Sequence, residues 1–189
     1  MSARLKCGDV APDFFGYDLL DQPIRLGDFR GRWLLLSFYR YASCPLCNLR
    51  VHDLSRRYTA WQSQGMEMLA VFQSPPDKLR QYVGRQQTPF PLLPDPEQRL
   101  YKLYSVKHSW AGFLKAWLTR LPEIGKSVFG RRFLPGSVDG GIHRIPADFV
   151  IDQQGRVVVA YYGRDIGDHL PVNQIDRLLQ RVLHNEMEG

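Results

Sequence analysis

The chain has 189 residues, of which 44% are hydrophobic and 23% are charged, a balance that fits one folded domain with a sizeable core and excludes global disorder. Its net charge of +6 is too modest to indicate a nucleic-acid-binding domain. No apolar run reaches the roughly eighteen residues of a membrane helix, and the N-terminus lacks the apolar core of a secretory signal, so we expect a cytoplasmic protein.

The hydrophobic pattern alternates between strand-like runs and helix-like stripes. The predicted strands, in chain order, are 14–18, 23–26, 33–39, 66–72, 147–151 and 157–161. The predicted helices are 45–64, 75–87, 96–104 and 171–184. Ser74 is a plausible N-cap for the second helix, and Gly65 is well placed to end the first. Strands that alternate with helices, followed by a closing hairpin and helix, indicate an α/β fold with a mixed sheet.

Residues 105–143 interrupt this regular pattern, so we treat the chain as a single domain, 1–189, with a helical and loop insertion at 105–143. The insertion contains six basic and two acidic side chains, a net charge of +4. Apolar and aromatic residues between 110 and 121 fall on one helical face, which we expect to pack on the protein's own sheet. Contact with a membrane surface through this face and its basic rim is the alternative.

Cys44 and Cys47 lie where the predicted strand 33–39 ends and the predicted helix 45–64 begins. Free backbone N–H groups and the positive end of the helix dipole favour a thiolate at such a position. Two cysteines three residues apart on a first helical turn are also close enough to form a disulfide. The pair therefore predicts redox chemistry at sulfur, whereas Cys7 is left over as a lone thiol.

Helix geometry suggests different roles for the two sulfurs. Cys47 shares the buried helical stripe with Val51 and Leu54, so its sulfur should be shielded, whereas Cys44 at the helix start should be the exposed nucleophile. A zinc site is not expected, because zinc normally takes four ligands and there is no second cysteine pair. Dinucleotide-binding and phosphate-binding glycine loops are also missing, so we expect no cofactor and an external thiol as electron donor.

Four stretches together resemble the alkyl hydroperoxide reductase and thiol-specific antioxidant group, the peroxiredoxin-like branch of the thioredoxin superfamily. They are Gly8–Phe14, Leu26–Arg32, Phe38–Leu49 and Ile145–Asp152. The resemblance implies a thioredoxin-like mixed sheet flanked by helices, with an N-terminal β-hairpin extension. It also implies a thiol-dependent peroxidase whose internal disulfide is reduced by thioredoxin, glutaredoxin or glutathione, and a possible homodimer.

The chain departs from the family pattern at the site itself. Aligned on Phe38 and Tyr39, the family's proline becomes Arg40, its threonine becomes Cys44, and its peroxide-reacting cysteine becomes Cys47. In this alignment Cys47 attacks peroxide and Cys44 condenses on the resulting sulfenic acid, the reverse of the roles that helix geometry suggests. Both assignments stay open at this point.

Pro146 resembles the cis-proline that faces the active site in thioredoxin-like proteins, where it would leave a backbone edge for a substrate peptide. An ordinary trans proline at the start of a strand is the alternative. The family's arginine before this strand falls near Pro146, with Arg144 two residues earlier. Beyond Cys44, Cys47 and Pro146, the predicted pocket residues are Arg40, Tyr41, Pro45, Arg50, Arg144 and Ile145. The scattered histidines 108, 143, 169 and 184 are interpreted as structural or exposed.

The leading functional hypothesis is a thiol-dependent oxidoreductase that uses the Cys44/Cys47 dithiol to reduce hydroperoxides. A protein-disulfide reductase without significant peroxidase activity is the first alternative, favoured by Pro146 and by the missing threonine. A non-enzymatic redox sensor or binding module that meets a partner through 105–143 is the second.

Overall fold

A computed structural model describes residues 3–108, 136, 141 and 143–187. Most of the predicted insertion, including its aromatic helix at 110–121, lies outside these residues. Within the described part of the chain, no helix is long and apolar enough to cross a membrane.

The core of the fold is a five-stranded mixed sheet. Its strands are β3 (Trp33–Phe38), β4 (Met66–Phe72), β5 (Leu92–Pro94), β6 (Ala147–Ile151) and β7 (Val157–Tyr162). They are ordered β5-β4-β3-β6-β7, with β3, β4 and β5 parallel and β6 and β7 antiparallel to their neighbours. Strands β1 (Phe15–Tyr17) and β2 (Pro23–Arg25) form a separate hairpin, which confirms the predicted N-terminal extension.

Four α-helices are described: α1 (Pro45–Gln62), α2 (Pro76–Gln81), α3 (Arg99–Leu103) and α4 (Val172–Met187). Short 3₁₀-helices cover Leu26–Phe29 and Val83–Gln86. This thioredoxin-like arrangement confirms the predicted fold class. Helix α1 connects the parallel neighbours β3 and β4, as a crossover between parallel strands requires.

The sheet separates two apolar layers because side chains alternate along each strand. On one face Leu35 and Tyr39 pack with α1 and α4, in the cluster that also contains Cys44 and Cys47. On the other face Leu34, Leu36 and Phe38 pack with α3 and its surroundings. The dithiol therefore belongs to the layer between the sheet and α1.

Two helix boundaries differ from the predicted ones. The predicted helix 75–87 begins one residue later and breaks into α2 and a 3₁₀-helix. Ser74 is not its N-cap: Pro75 is, and the Ser74 hydroxyl instead accepts a hydrogen bond from the Ala42 N–H at 2.7 Å. Helix α3 begins only at Arg99, because Asp95 accepts hydrogen bonds from the N–H groups of Arg99 and Leu100.

Tyr101 in α3 fixes the point where the chain leaves β3 for the site. Its buried hydroxyl lies 2.7 Å from the carbonyl oxygen of Tyr39 and 3.0 Å from that of Val71. The Tyr39 N–H donates to the Val71 carbonyl at 2.9 Å. These hydrogen bonds thus link the ends of β3 and β4 past the last regular pair of the sheet.

We predict that Tyr101→Phe lowers the free energy of unfolding by about 1–3 kcal/mol, since it leaves two buried carbonyl groups without this donor. Urea titration followed by circular dichroism measures the change. Tyr17→Phe is the matched control. Because Tyr17 is exposed, this substitution should lower the free energy of unfolding by less than about 0.5 kcal/mol. Equal effects of the two substitutions would contradict the role given to Tyr101.

Candidate active site

Cys44 is the N-cap residue of α1, and Pro45 occupies the first helical position. The backbone of Cys44 is extended, with φ −62° and ψ 117°, as N-cap residues require. The Cys44 sulfur accepts a hydrogen bond from the Cys47 N–H at 3.3 Å, where a serine or aspartate oxygen ordinarily serves. The motif therefore places one sulfur at the positive end of the α1 dipole.

Side chains from distant parts of the chain hold the turn before α1. The Asn48 amide donates to the carbonyl oxygens of Ala42 and Cys44 at 2.7 and 2.9 Å. Gln86 donates in turn to the Asn48 side-chain oxygen at 2.9 Å. Together with the hydrogen bond from the Ala42 N–H to the Ser74 hydroxyl, these contacts hold the turn against the loop after β4. Sequence reasoning missed Asn48 and Gln86, since nothing in their local pattern marks them, and it gave Ser74 a different role as an N-cap.

Both sulfurs are buried. Cys44 has 0% of its surface exposed and Cys47 has 2%. The prediction that Cys44 is exposed is therefore wrong, although the shielding of Cys47 is confirmed. The physical reason is the tethered turn before α1, which covers the helix start that a simpler turn would leave open.

Arg40 supplies the positive charge beside the sulfurs. Its side chain is buried, with 4% of the residue exposed, and its guanidinium carbon lies 5.0 Å from the ring centre of Tyr41. A terminal guanidinium nitrogen donates to the Tyr41 hydroxyl at 3.2 Å. Burial opposes the charge on Arg40, but the neighbouring Cys44 raises the Arg40 pKa and keeps the guanidinium protonated.

The two thiols have opposite electrostatic environments. Burial by itself raises the pKa of Cys44, but the hydrogen bond from the Cys47 thiol, the Arg40 charge and the backbone N–H groups of Cys47 and Leu46 outweigh it and lower this pKa to about 6. Burial and the hydrogen bond to Cys44 raise the pKa of Cys47. At neutral pH the arrangement is a Cys44 thiolate that receives a hydrogen bond from a Cys47 thiol.

The structure gathers only some of the predicted pocket residues around the dithiol. Arg40 and Tyr41 interact electrostatically with Cys44, and Pro45 follows Cys44 directly in the chain. Arg50 lies farther along α1, where it lines a cavity of about 160 Å³ and donates to the Leu170 carbonyl at 2.6 Å. Arg40 is thus the arginine that acts on both thiols.

Arg144, Ile145 and Pro146 do not form the predicted substrate edge. The Arg144 guanidinium packs over the Tyr101 ring at 4.7 Å and donates to the Val106 carbonyl at 2.6 Å, in the layer opposite α1. Ile145 donates from its backbone to the Lys107 carbonyl. The peptide bond before Pro146 is trans, so the predicted cis-proline is not found, and the Pro146 carbonyl accepts a hydrogen bond from the N–H of Gly163, the residue after β7.

The described residues contain no group of three or more His, Cys, Asp or Glu side chains placed to hold a metal ion. Cys7, Cys44 and Cys47 are all free thiols, and Cys7 is exposed. The lowered pKa of Cys44 and the neighbouring Cys47 thiol suit the pair for thiol chemistry, in which one sulfur attacks an oxidant and the two then form a disulfide.

We predict that Arg40→Met raises the pKa of Cys44 by about one unit or more, because it removes a buried positive charge beside the thiolate. Only the thiolate is alkylated, so the wild-type rate should fall as pH drops below about 6, and the variant's profile should shift to higher pH. Mass-resolved alkylation at Cys44 measures both profiles. Arg56→Met, at an exposed position on α1, is the control, and coincident profiles for all three proteins would contradict the assignment.

Comparison with known proteins identifies the family of this chain. A model of the AhpC/TSA family matches residues 7–160. A Mycobacterium tuberculosis protein classed with the peroxiredoxins is 28% identical over 169 residues, which cover 89% of this chain and 92% of that protein. Peroxiredoxin Bcp of Escherichia coli is 26% identical over 153 residues, 81% of this chain and 83% of its own.

Solved structures agree on the fold. The crystal structure of a Xylella fastidiosa PrxQ mutant superposes with a TM-score of 0.69 at 15% sequence identity, covering 98% of this chain and 99% of that chain. The family match spans the dithiol, the strand that precedes it and the β6–β7 hairpin. The chain belongs to the AhpC/TSA family, in the peroxiredoxin-like branch of the thioredoxin superfamily.

Proposed function

We propose that this chain is a thiol-dependent peroxidase in which Cys44 attacks a hydroperoxide and Cys47 resolves the product. The observation that carries the proposal is the environment of Arg40. Two of its buried guanidinium nitrogens, Nε and Nη1, have no hydrogen-bond partner among the described residues. Such charged donors beside a thiolate are suited to hold a peroxide and to stabilise the negative charge that develops on its leaving oxygen.

The chemistry proceeds in two steps. In the first, the Cys44 thiolate forms an S–O bond with the outer oxygen of the hydroperoxide, the O–O bond breaks, and the departing alkoxide takes up a proton to become an alcohol. In the second, the Cys47 sulfur attacks the Cys44 sulfenic acid, loses its proton and displaces hydroxide, which leaves as water. Two electrons pass from the dithiol to the peroxide, and an external thiol donor returns them.

Burial favours a small oxidant over a protein disulfide. A protein disulfide must approach the attacking sulfur in line, and neither Cys44 nor Cys47 presents more than 2% of its surface. The trans peptide bond before Pro146 also removes the main argument for peptide recognition. The protein-disulfide reductase and the non-enzymatic sensor therefore rank behind the peroxidase, and the experiment below separates all three.

The partners follow from the same chemistry. The substrate class is a hydroperoxide, and the donor is a thiol system of the thioredoxin, glutaredoxin or glutathione type, acting in the cytoplasm. A homodimer is compatible with this scheme but is not needed for it, since the described chain supplies both sulfurs and Arg40.

We predict that the reduced Cys7→Ser protein reacts rapidly with hydrogen peroxide and loses two hydrogens by intact mass, because Cys44 and Cys47 form a disulfide. Adding Cys47→Ser to this background should leave a dimedone-trapped sulfenic acid on Cys44. Adding Cys44→Ser should instead abolish the fast reaction, since the remaining thiol lacks the stabilised thiolate.

A fast reaction with the sulfenic acid on Cys47 would contradict the roles proposed here and support the alignment-based assignment. Slow oxidation by peroxide together with rapid oxidation by a protein disulfide would indicate the reductase. Failure of both oxidants to react would favour the non-enzymatic module.

A further inference from the structure

Asp148 is a buried carboxylate that the two-step chemistry does not use. It lies in β6, directly opposite Ser37 in β3, on the sheet face that packs against α1, and 0% of it is exposed. Burial opposes its charge, but the neighbouring His169 lowers the Asp148 pKa and favours the ionised form. A buried charge is costly unless it is paired, so this carboxylate requires an explanation.

His169 is the partner of this carboxylate. Its Nδ1 lies 3.0 and 3.2 Å from the two carboxylate oxygens, and the Leu170 N–H donates to the same group at 2.7 Å. The histidine was predicted to be either structural or exposed, and the second alternative is excluded because only 7% of its side chain is exposed. An ionised carboxylate can only accept hydrogen bonds, so Nδ1 carries a proton, and in the neutral imidazole Nε2 is then the basic nitrogen.

The imidazole lies in the layer that contains the dithiol. Its ring centre is 4.9 Å from that of Tyr39, which belongs to the same buried cluster as Cys44, Cys47 and Leu170. Its outer side lines the cavity of about 160 Å³ together with Leu46 and Arg50, the residues on either side of the Cys47 turn of α1. His169 thus lies at the border between the buried dithiol layer and a cavity that has room for water.

A proton acceptor beside Cys47 would speed the resolving step, and oxidation of Cys44 removes the acceptor that the reduced site contains. In the reduced protein the Cys47 thiol shares its proton with the Cys44 thiolate. Once Cys44 is oxidised, that acceptor is gone, while burial still holds the Cys47 thiol in its protonated form. Thiolate is the attacking species in disulfide formation, so Cys47 needs a base within reach.

We propose that His169, oriented by Asp148, accepts the Cys47 proton during disulfide formation, directly or through one water. As the Cys47 sulfur forms the S–S bond, its proton passes to Nε2, and the S–O bond of the Cys44 sulfenic acid breaks. The imidazolium then gives this proton to the departing hydroxide, which leaves as water. His169 returns to its neutral form, and no further oxidant or reductant is consumed.

Asp148 has a positioning role in this scheme. It fixes the tautomer of His169 and stabilises the transient imidazolium without itself taking up the proton. The inference rests on the proposed function in its order of attack, Cys44 before Cys47. It concerns the second step only, so it also applies when a small disulfide takes the place of peroxide.

The test separates the two steps in single-turnover experiments in the Cys7→Ser background. An aromatic disulfide reagent releases one coloured thiol when Cys44 attacks and a second when Cys47 resolves the mixed disulfide. His169→Asn keeps an N–H donor for Asp148 but has no basic nitrogen. We expect the second release to slow by about 100-fold, with the first release unchanged.

Asp53→Asn is the matched control, because Asp53 is exposed and lines the same cavity without contacting Asp148. Its two phases should both match those of the parent protein. With peroxide as oxidant, the His169→Asn protein should also accumulate more sulfinic acid on Cys44, since its sulfenic acid survives longer.

Equal slowing of both releases, or no slowing of the second, would overturn the role of His169. If His169→Asn fails to fold, nitrogen NMR of the isotope-labelled parent protein decides: the protonated nitrogen must be Nδ1, and a proton on Nε2 would overturn the proposal. If peroxide does not oxidise the parent protein while the aromatic reagent still shows the His169 effect, the peroxidase assignment fails and the proton acceptor stands.

Discussion

The site depends on the pairing of one buried cation with one buried thiolate. An unpaired guanidinium in the interior of a protein costs several kcal/mol. Arg40 is nonetheless buried, and the charge that compensates it is the Cys44 thiolate. The same pairing lowers the pKa of Cys44, so the stability of the buried arginine and the reactivity of the sulfur have one origin. When oxidation removes the thiolate, the Arg40 charge is left uncompensated. This cost favours the reduced dithiol over the disulfide.

The rest of the molecule holds this pair in place. Tyr101 joins the ends of β3 and β4 at the point where the chain turns toward Arg40. Asn48 and Ser74 then hold the turn that delivers Cys44 to the start of α1. Because these contacts come from α3, α1 and the loop after β4, the reactive turn is fixed from both faces of the sheet.

The sequence predicted the architecture well because local patterns determine it. Apolar runs and turn residues placed each strand of the central sheet except the short β5, and the position of Cys44 and Cys47 at a strand–helix junction followed from β3 and α1. Predictions that depended on contacts between distant segments were wrong or incomplete. Cys44 is buried in the apolar cluster between the sheet and α1, and the turn that carries it there is held partly by residues about thirty or more positions away, such as Ser74 and Gln86.

Arg144 and Pro146 show the limit of resemblance as a guide to a site. Both were predicted as site residues from the resemblance, yet Arg144 packs in the opposite layer and Pro146 follows a trans bond. Asp148 carried a usable signal, since an acidic residue inside the apolar run 147–151 is rarely buried without a purpose. Its partner His169 comes from a loop after β7, and no local pattern could have joined the two.

The proposed chemistry places one protonation requirement on each sulfur. The attacking sulfur must be without a proton before peroxide arrives, and the resolving sulfur must lose its proton only afterwards. The Arg40 charge meets the first requirement, and the Asp148–His169 pair is placed to meet the second. In the proposed mechanism, electrostatics within one buried layer therefore sets the order in which the two sulfurs react.

Carbon NMR titration of the two cysteine side chains in the reduced protein follows the ionisation of each sulfur separately and without any reagent. We expect Cys44 to ionise at a pH of about 6, while Cys47 stays protonated well above its usual range. Ionisation of Cys47 before Cys44 would contradict this expectation.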